Sequence, residues 1–536
     1  MARNSFFELL AQASRTGLKL IQTPIVLTVL DLERYGIFSL IFVLCVYIEQ
    51  FNMSFGFAYS KFTAEFDVRG DFKKLASVIS SGIIIVCSGA TVVIGLFWLF
   101  QCPILTFFGV RVEHLDDAST AFLVVVLGLL IRMSVGCYWR MLAGLQRVDL
   151  QKKLEIVANV LEMGFSLFFL FTIGGVASLA LAFLGHEVFL AASSWWMWRR
   201  LRPPLGLSPF KATGYGFRRI LSLGGKFQLL SILGMGITQS MKLIVSAVFG
   251  PAVLGIYDLA DKIINMGRMA PMAVINPLMP AFTNLHTRGA GREALALYLR
   301  VSRILALITL VVFGFIFLVP DLFLFGWTGN AYSPAPLVLR ILAVSAIIHL
   351  LTGVGTASLR SRESLSYEFK YYGIQMGTIL LLLYPLYQAW GFLGMVTAFS
   401  AGFGSGAFWF LYAYSRLEGI PFGVYLRSVV YEPSIRIVGI MGLFVVLKMG
   451  WPALFAINSS RIMVLLDLAI LGTAFTLLVG AAVWFSGLLD VREREMVLRI
   501  RNKVLRRWKA SQPAPEEAID SDSKETAEAT TGRRKG

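Results

Sequence analysis

The stretch LDLERYGIFSL, Leu30 to Leu40, is answered 219 residues later by FGPAVLGIYDL, Phe249 to Leu259. Gly36 falls on Gly255, Ile37 on Ile256 and Leu40 on Leu259, and each copy stands between two long apolar runs. The likeness continues downstream. SKFTAEFDVRGDFKKL (60–75) is matched by MPAFTNLHTRGAGREAL (279–295), with Phe62-Thr63 on Phe282-Thr283 and Arg69-Gly70 on Arg288-Gly289. A nearly constant offset over about forty residues marks an internal repeat. Gly36 and Gly255 each stand where one apolar run gives way to the next, so the reading here is a tight chain reversal at a residue without Cβ.

The chain has 536 residues, 57% of them hydrophobic and 15% charged, with a mean hydropathy of +0.71. A water-soluble fold could not hide that much apolar surface, so the composition points to a membrane protein with many spans. The four cysteines lie in or beside apolar segments and the four histidines are scattered singly, without metal-ligand spacing. MARNSFFELLAQASRTG lacks the pattern of a cleaved secretory signal, so the first span is expected to stay in the mature chain.

A helix crosses a bilayer with about 20 apolar residues. Some fourteen such runs fall near 12–30, 35–58, 75–101, 119–143, 154–172, 176–197, 222–249, 253–280, 303–326, 335–359, 367–388, 391–414, 435–450 and 461–487. Alternate loops differ sharply in charge. Twenty-four Lys and Arg, from Lys61 through Arg140 and Arg219 to Arg436, fall on one side; Arg34, Arg111, Lys448 and Arg461 fall on the other. That bias predicts both termini on the cytoplasmic side of the membrane. It also accounts for most of the net charge of +17, so no nucleic-acid partner is expected. The outer loops are too short for a catalytic domain. In the tail, Val497, Ile500, Val504 and Trp508 share one face of a basic helix suited to an anionic lipid surface. From about Ser511 the composition is that of a disordered tail.

An offset of six spans is even, so the two halves run in the same direction, and substrate sites of such parallel-repeat transporters lie between the halves. The expected fold is all-α and polytopic. Two parallel-repeat six-helix bundles surround a central cleft, and two C-terminal helices follow. The expected divisions are 1–205, 206–420, 421–487 for the added pair, and 488–536 for the basic helix and tail.

The YG turn after span 1, the Arg-Gly-Asp exit of span 2 (69–71), FGPAVLGIYDLA (249–260), PLMPAFTNL (277–285) and PDLFLFGWTGNAYSPAPLVLRILA (320–343) together resemble the polysaccharide-transport branch of the multidrug/oligosaccharidyl-lipid/polysaccharide exporter superfamily. The resemblance covers nearly all of residues 10–415. It implies a flippase that carries an undecaprenyl-diphosphate-linked oligosaccharide from the inner to the outer leaflet. Surface-polysaccharide polymerase and chain-length proteins would be its working partners, as in O-antigen or exopolysaccharide synthesis. The two extra C-terminal spans are similar to those of peptidoglycan-precursor flippases, where added spans shape a lipid groove.

Charged side chains at bilayer depth face a cavity or a partner, because burial in lipid costs several kcal/mol. A diphosphate needs cations in a wet site, and Arg15, Lys19, Lys242 and Arg268, on spans 1, 7 and 8, form the candidate set. Glu49, near mid-depth in span 2, is the candidate for coupling to H⁺ or Na⁺, with Asp258 and Asp261 behind it. Its structural alternative is an ion pair with Arg268 or Arg15. Asp258 and Lys262, four apart, are expected to neutralise each other. His186-Glu187, His349 and Asp467 read as isolated structural groups. No nucleotide-binding loop, catalytic constellation or metal cluster stands out, so no cofactor beyond a coupling ion is expected and the chain is read as a non-enzyme. The alternatives are a lipid II-type flippase, a multidrug antiporter, which would want an acidic cavity, a membrane glycan polymerase or ligase, which would want a large outer loop, and a scaffold docked through the basic tail.

Overall fold

In the computed structural model, residues 2–202, 209–330, 332–362, 366–450 and 460–485, with Leu207 and Ser364, are described. The basic helix and tail expected beyond 488 lie outside them. Among the described residues the chain is all-helical, and nine helical stretches are long and apolar enough to cross a membrane by length and composition. Met1–Val479 form one compact unit and Gly480–Gly536 a second, of which Gly480–Phe485 is described.

The apolar runs of the sequence fall on helices, some of them broken into two or three pieces as over 253–280, and the last is described as far as Phe485. The first half comprises α1 (Ala2–Val29), α2 (Leu32–Arg69), α3 (Phe72–Phe107), α4 (Leu115–Ser134), α5 (Cys137–Gly144), α6 (Val148–Thr172) and α7 (Ala177–Leu201). The second comprises α8 (Gly214–Phe249), α9 (Pro251–Gly267), α10 (Met269–Ile275), α11 (Leu278–Thr287), α12 (Gly291–Leu318), α13 (Pro320–Thr328), α14 (Ala335–Leu350), α15 (Thr352–Ser361) and α16 (Ser366–Leu417). Then follow α17 (Phe422–Tyr425), a π turn, α18 (Glu432–Gly450) and α19 (Arg461–Phe485). At 1.5 Å per residue, a straight helix as long as α16 would measure about 78 Å, more than twice the bilayer core. It folds back at Gly391, whose φ of 55° places it in the left-handed region.

Side chains at the breaks fix where helices start. Asp31 accepts the Arg34 N–H at 2.7 Å to open α2, Asp71 accepts from Lys74 N at 3.1 Å to open α3, and Thr213 accepts from Gly216 N at 3.2 Å to open α8. Each satisfies one amide that the first turn leaves without a partner.

The repeated glycines are not reversals. Both lie inside helices, Gly36 in α2 and Gly255 in α9, and the chain turns instead just before them, at Gly250 with φ 82° in the second copy. Their role is contact. A Cβ on Gly36 would run into the carbonyl of Pro251, and one on Gly255 would lie 2.9 Å from the carbonyl oxygen of Leu32. Residues 32 and 251 are themselves repeat mates. The two copies of the opening stretch therefore cross each other symmetrically, backbone against backbone, and the missing Cβ atoms permit the approach. Tyr35, Leu254 and Leu259, next to these glycines, are fully buried.

A second link joins the halves along α1. Pro24 has no N–H, so the carbonyl of Leu20 one turn earlier lacks its helical donor. The indole N–H of Trp327 in α13 takes that place at 2.7 Å. Arg461, opening α19, in turn donates to the carbonyls of Gly326, at 3.1 Å, and Trp327.

Candidate functional site

A polar cavity of about 490 Å³ lies within the first helical bundle, walled by α1, α2, α4, α5, α6 and α7. At one end Arg132 of α4 is held between two carboxylates. Its Nε donates to Glu187 Oε2 at 2.8 Å and Nη2 to Glu187 Oε1, while Nη1 donates to Glu49 Oε1 at 2.6 Å. Phe183 lies beneath the guanidinium, 5.2 Å from ring centroid to Cζ. His186 Nδ1 meets Glu187 Oε1 at 2.8 Å, and its Nε2 lies 4.0 Å from Glu162. A planar guanidinium with five donors suits this two-sided grip, which satisfies a carboxylate that is 1% exposed.

At the other end Glu155 of α6 is shared by Arg15 and by Lys152, the latter at 3.1 Å. Lys19, one turn beyond Arg15, and Arg140 of α5 complete this part of the wall. Asn159 of α6 donates to Ser14 at 3.3 Å. Glu155, Asn159 and Glu162 share one face of α6 at spacings of four and three. That spacing is legible in the sequence and is the signal that could have located this wall.

A different cluster sits between the halves. Lys242 Nζ lies 2.7 Å from Asp258 and 3.0 Å from Asp261. The Tyr35 hydroxyl donates to Asp258 at 2.6 Å, and Lys262 reaches Tyr35 at 2.6 Å and Asp258 at 3.4 Å. The expected Asp258–Lys262 pair is present, within a larger network.

The four candidate cations therefore do not share one described cavity. Arg15 and Lys19 line the cavity of the first bundle. Lys242 of α8 is tied to Asp258 and Asp261 of α9, the helix packed beside it. Arg268, at the α9–α10 junction, donates to Asn265 at 3.4 Å, within electrostatic reach of His349 and Tyr371. The partner of Glu49 is Arg132, not Arg15 or Arg268, because α2 packs on α4 at that level. His186-Glu187 and His349 are not isolated: the first pair completes the grip on Arg132, and His349 Nδ1 meets the Tyr371 hydroxyl at 2.6 Å.

The teichuronic acid biosynthesis protein TuaB of Bacillus subtilis (strain 168) is 26% identical over 248 residues. That match takes in 44% of this chain and 47% of the relative, so it spans about half the length of the curated protein. Among solved structures, a lipid II flippase MurJ in an inward closed conformation aligns with a TM-score of 0.69 at 12% identity, covering 90% of this chain and 100% of that one. An inward-facing multidrug-resistance MATE transporter of the MOP superfamily aligns at 0.63 and 16% identity, covering 76% and 96%. These two likenesses establish the fold. The family model described as polysaccharide biosynthesis protein matches residues 1–286, more than half of the sequence, and the chain belongs to that family.

Proposed function

We propose that this protein is a flippase, moving a polyprenyl-diphosphate-linked oligosaccharide between the leaflets of a bacterial inner membrane for surface polysaccharides of the O-antigen or exopolysaccharide type. The observation that carries this reading is a charged cavity inside a membrane-spanning helical bundle, with Arg15 and Lys19 on its wall. Family membership, the teichuronic acid relative and the transporter folds support it. Both termini are cytoplasmic in this reading. The lobes 1–205 and 206–420 rock about the α2–α9 crossing, in alternating access. Arg268 supplies a further cation toward the diphosphate, and Glu49, on the cavity wall, is the group that takes up the coupling H⁺ or Na⁺. Polymerase and chain-length proteins are the downstream partners.

A second reading, a peptidoglycan-precursor flippase, is favoured by the likeness to the lipid II flippase along that whole chain. Both readings are tested by leaflet translocation of labelled prenyl-diphosphate oligosaccharides in proteoliposomes. Transport of a surface-polysaccharide intermediate, lost in the Arg15→Ala/Lys19→Ala chain at equal reconstitution, supports the first. Preference for a peptide-bearing lipid II supports the second. No translocation across such a panel overturns both.

A further inference from the structure

We propose that the cavity of the first bundle takes a sugar bearing one carboxylate, and that Arg140, with Lys19, reads that carboxylate. The inference rests on the flippase reading and names the class of glycan that the flippase would carry.

The charge balance of the wall leads to it. Arg132 is spent on Glu49 and Glu187, and Arg15 and Lys152 share Glu155. Among the described residues no carboxylate lies within ion-pair distance of Lys19 or Arg140, which are left facing the cavity. Lys152 is tied to Glu8 as well, at 3.1 Å, so that Lys19 and Arg140 stand out on the wall as cations without a described carboxylate beside them. A sugar carboxylate supplies the partner that these two lack.

Arg140 is also deliberately seated. Gly56 of α2 leaves the space that its side chain fills: a Cβ there would lie 2.8 Å from Arg140 Nε. The Ser60 hydroxyl donates to the Arg140 carbonyl at 2.8 Å, and the guanidinium lies 4.8 Å from the Trp139 ring. That ring is held in turn by its own N–H, which donates to the Gln151 carbonyl at 3.3 Å. A guanidinium fixed in this way presents a planar fork, the geometry that matches a carboxylate. The remaining chemistry suits a sugar. The acids of the wall and Asn159 offer partners for hydroxyl groups, aromatic Trp139 and Phe183 offer faces to its C–H groups, and about 490 Å³ is within the range that holds a small ligand.

The test uses the full chain in lipid nanodiscs and two probes, a farnesyl-diphosphate disaccharide ending in glucuronate and its twin ending in glucose. The expected result is tighter binding of the glucuronate probe, by about tenfold or more, the size of one charge-assisted hydrogen bond. Arg140→Gln should erase most of that preference while leaving the glucose probe bound as before. Arg140→Lys, which keeps the charge and loses the fork, should retain part of it. Melting temperatures near the unmodified chain's establish that the variants are folded, and Gly56→Ala, which displaces Arg140 without removing it, is the independent second variant. Equal affinity for the two probes, or equal loss of both in Arg140→Gln, overturns the proposal. Translocation of the same probes in proteoliposomes is read separately: binding preference without translocation fails the flippase reading and leaves the carboxylate site standing.

Discussion

The indole N–H of Trp327 donates to the carbonyl oxygen of Leu20 at 2.7 Å, on the helical turn from which Pro24 has removed the normal donor. One side chain from the second half of the chain thus repairs a hydrogen bond that the first half cannot make for itself. Trp327→Phe keeps most of the ring's apolar area and deletes only the donor. Leaving a shielded carbonyl without a partner costs about 1–3 kcal/mol. The loss should shrink in a Pro24→Ala background, where the restored N–H serves Leu20 within the helix. Thermal melting of the two single variants and the double variant checks this. Additive losses would mean that Trp327 stabilises by packing alone.

Arg132 makes a second prediction, because its two carboxylates differ in exposure. Glu187 is 1% exposed and Glu49 28%. Arg132→Gln strands a buried carboxylate and should cost about 3–5 kcal/mol. Glu49→Gln leaves Arg132 with Glu187 and should cost about 1 kcal/mol or less, as for a partly solvated pair. Denaturation in detergent separates the two, and equal losses would place Glu187 in contact with water.

The helices, their order and the repeat were legible in the sequence because each rests on one-dimensional information, the length of an apolar run or a constant offset. The partners of the buried charges were not. A helix that is apolar nearly all round has no periodic face to give its rotation, so the place of Glu49 along its helix could be read while its direction toward Arg132 could not. Lys242 shows the same gap: its type suggested an anion site, but its helix turns it onto Asp258 and Asp261. Arg140 read as one more charge of a basic loop, and only the packing of α5 on Gly56 turns it into a cavity residue. The glycine repeat was recognised as a signature, yet its cause was a crossing rather than a turn, which only the neighbour across the contact reveals.

His286, at the end of α11, gives a prediction in pH. Its Nδ1 meets the Ser361 hydroxyl at 2.8 Å and its Nε2 accepts from Arg362 at 3.1 Å, while Arg362 pairs with Glu418 at 2.6 Å. Burial, and next the neighbouring Arg362, hold the imidazole below its ordinary value. The folded chain therefore favours the neutral ring. The stabilisation is full above about pH 6.5 and is lost as the pH falls from there toward the lowered folded value. Melting curves at pH 7.5 and 5.5 should show a smaller acid-induced drop in His286→Gln than in the unmodified chain. An identical drop would place the titrating group elsewhere.

The glycine crossing gives the last prediction and its own control. At Gly36 and Gly255 an added methyl meets backbone carbonyls, of Pro251 and Leu32, which cannot swing aside as a flexible side chain could. Overpacking of this kind costs about 1–3 kcal/mol, and more where backbone must move. Gly36→Ala should be the worse of the two, since its Cβ would lie deeper within its neighbour than the 2.9 Å approach at Gly255. Gly373, inside α16, has nothing within 4 Å of an added Cβ. There alanine should be neutral, or stabilising by up to about 1 kcal/mol through helix propensity. Melting temperatures should therefore rank Gly373→Ala at or above the unmodified chain, then Gly255→Ala, then Gly36→Ala. If Gly36→Ala melts with Gly373→Ala, the two copies do not touch in the resting protein, and the repeated glycine marks a common ancestry of the halves without holding them together.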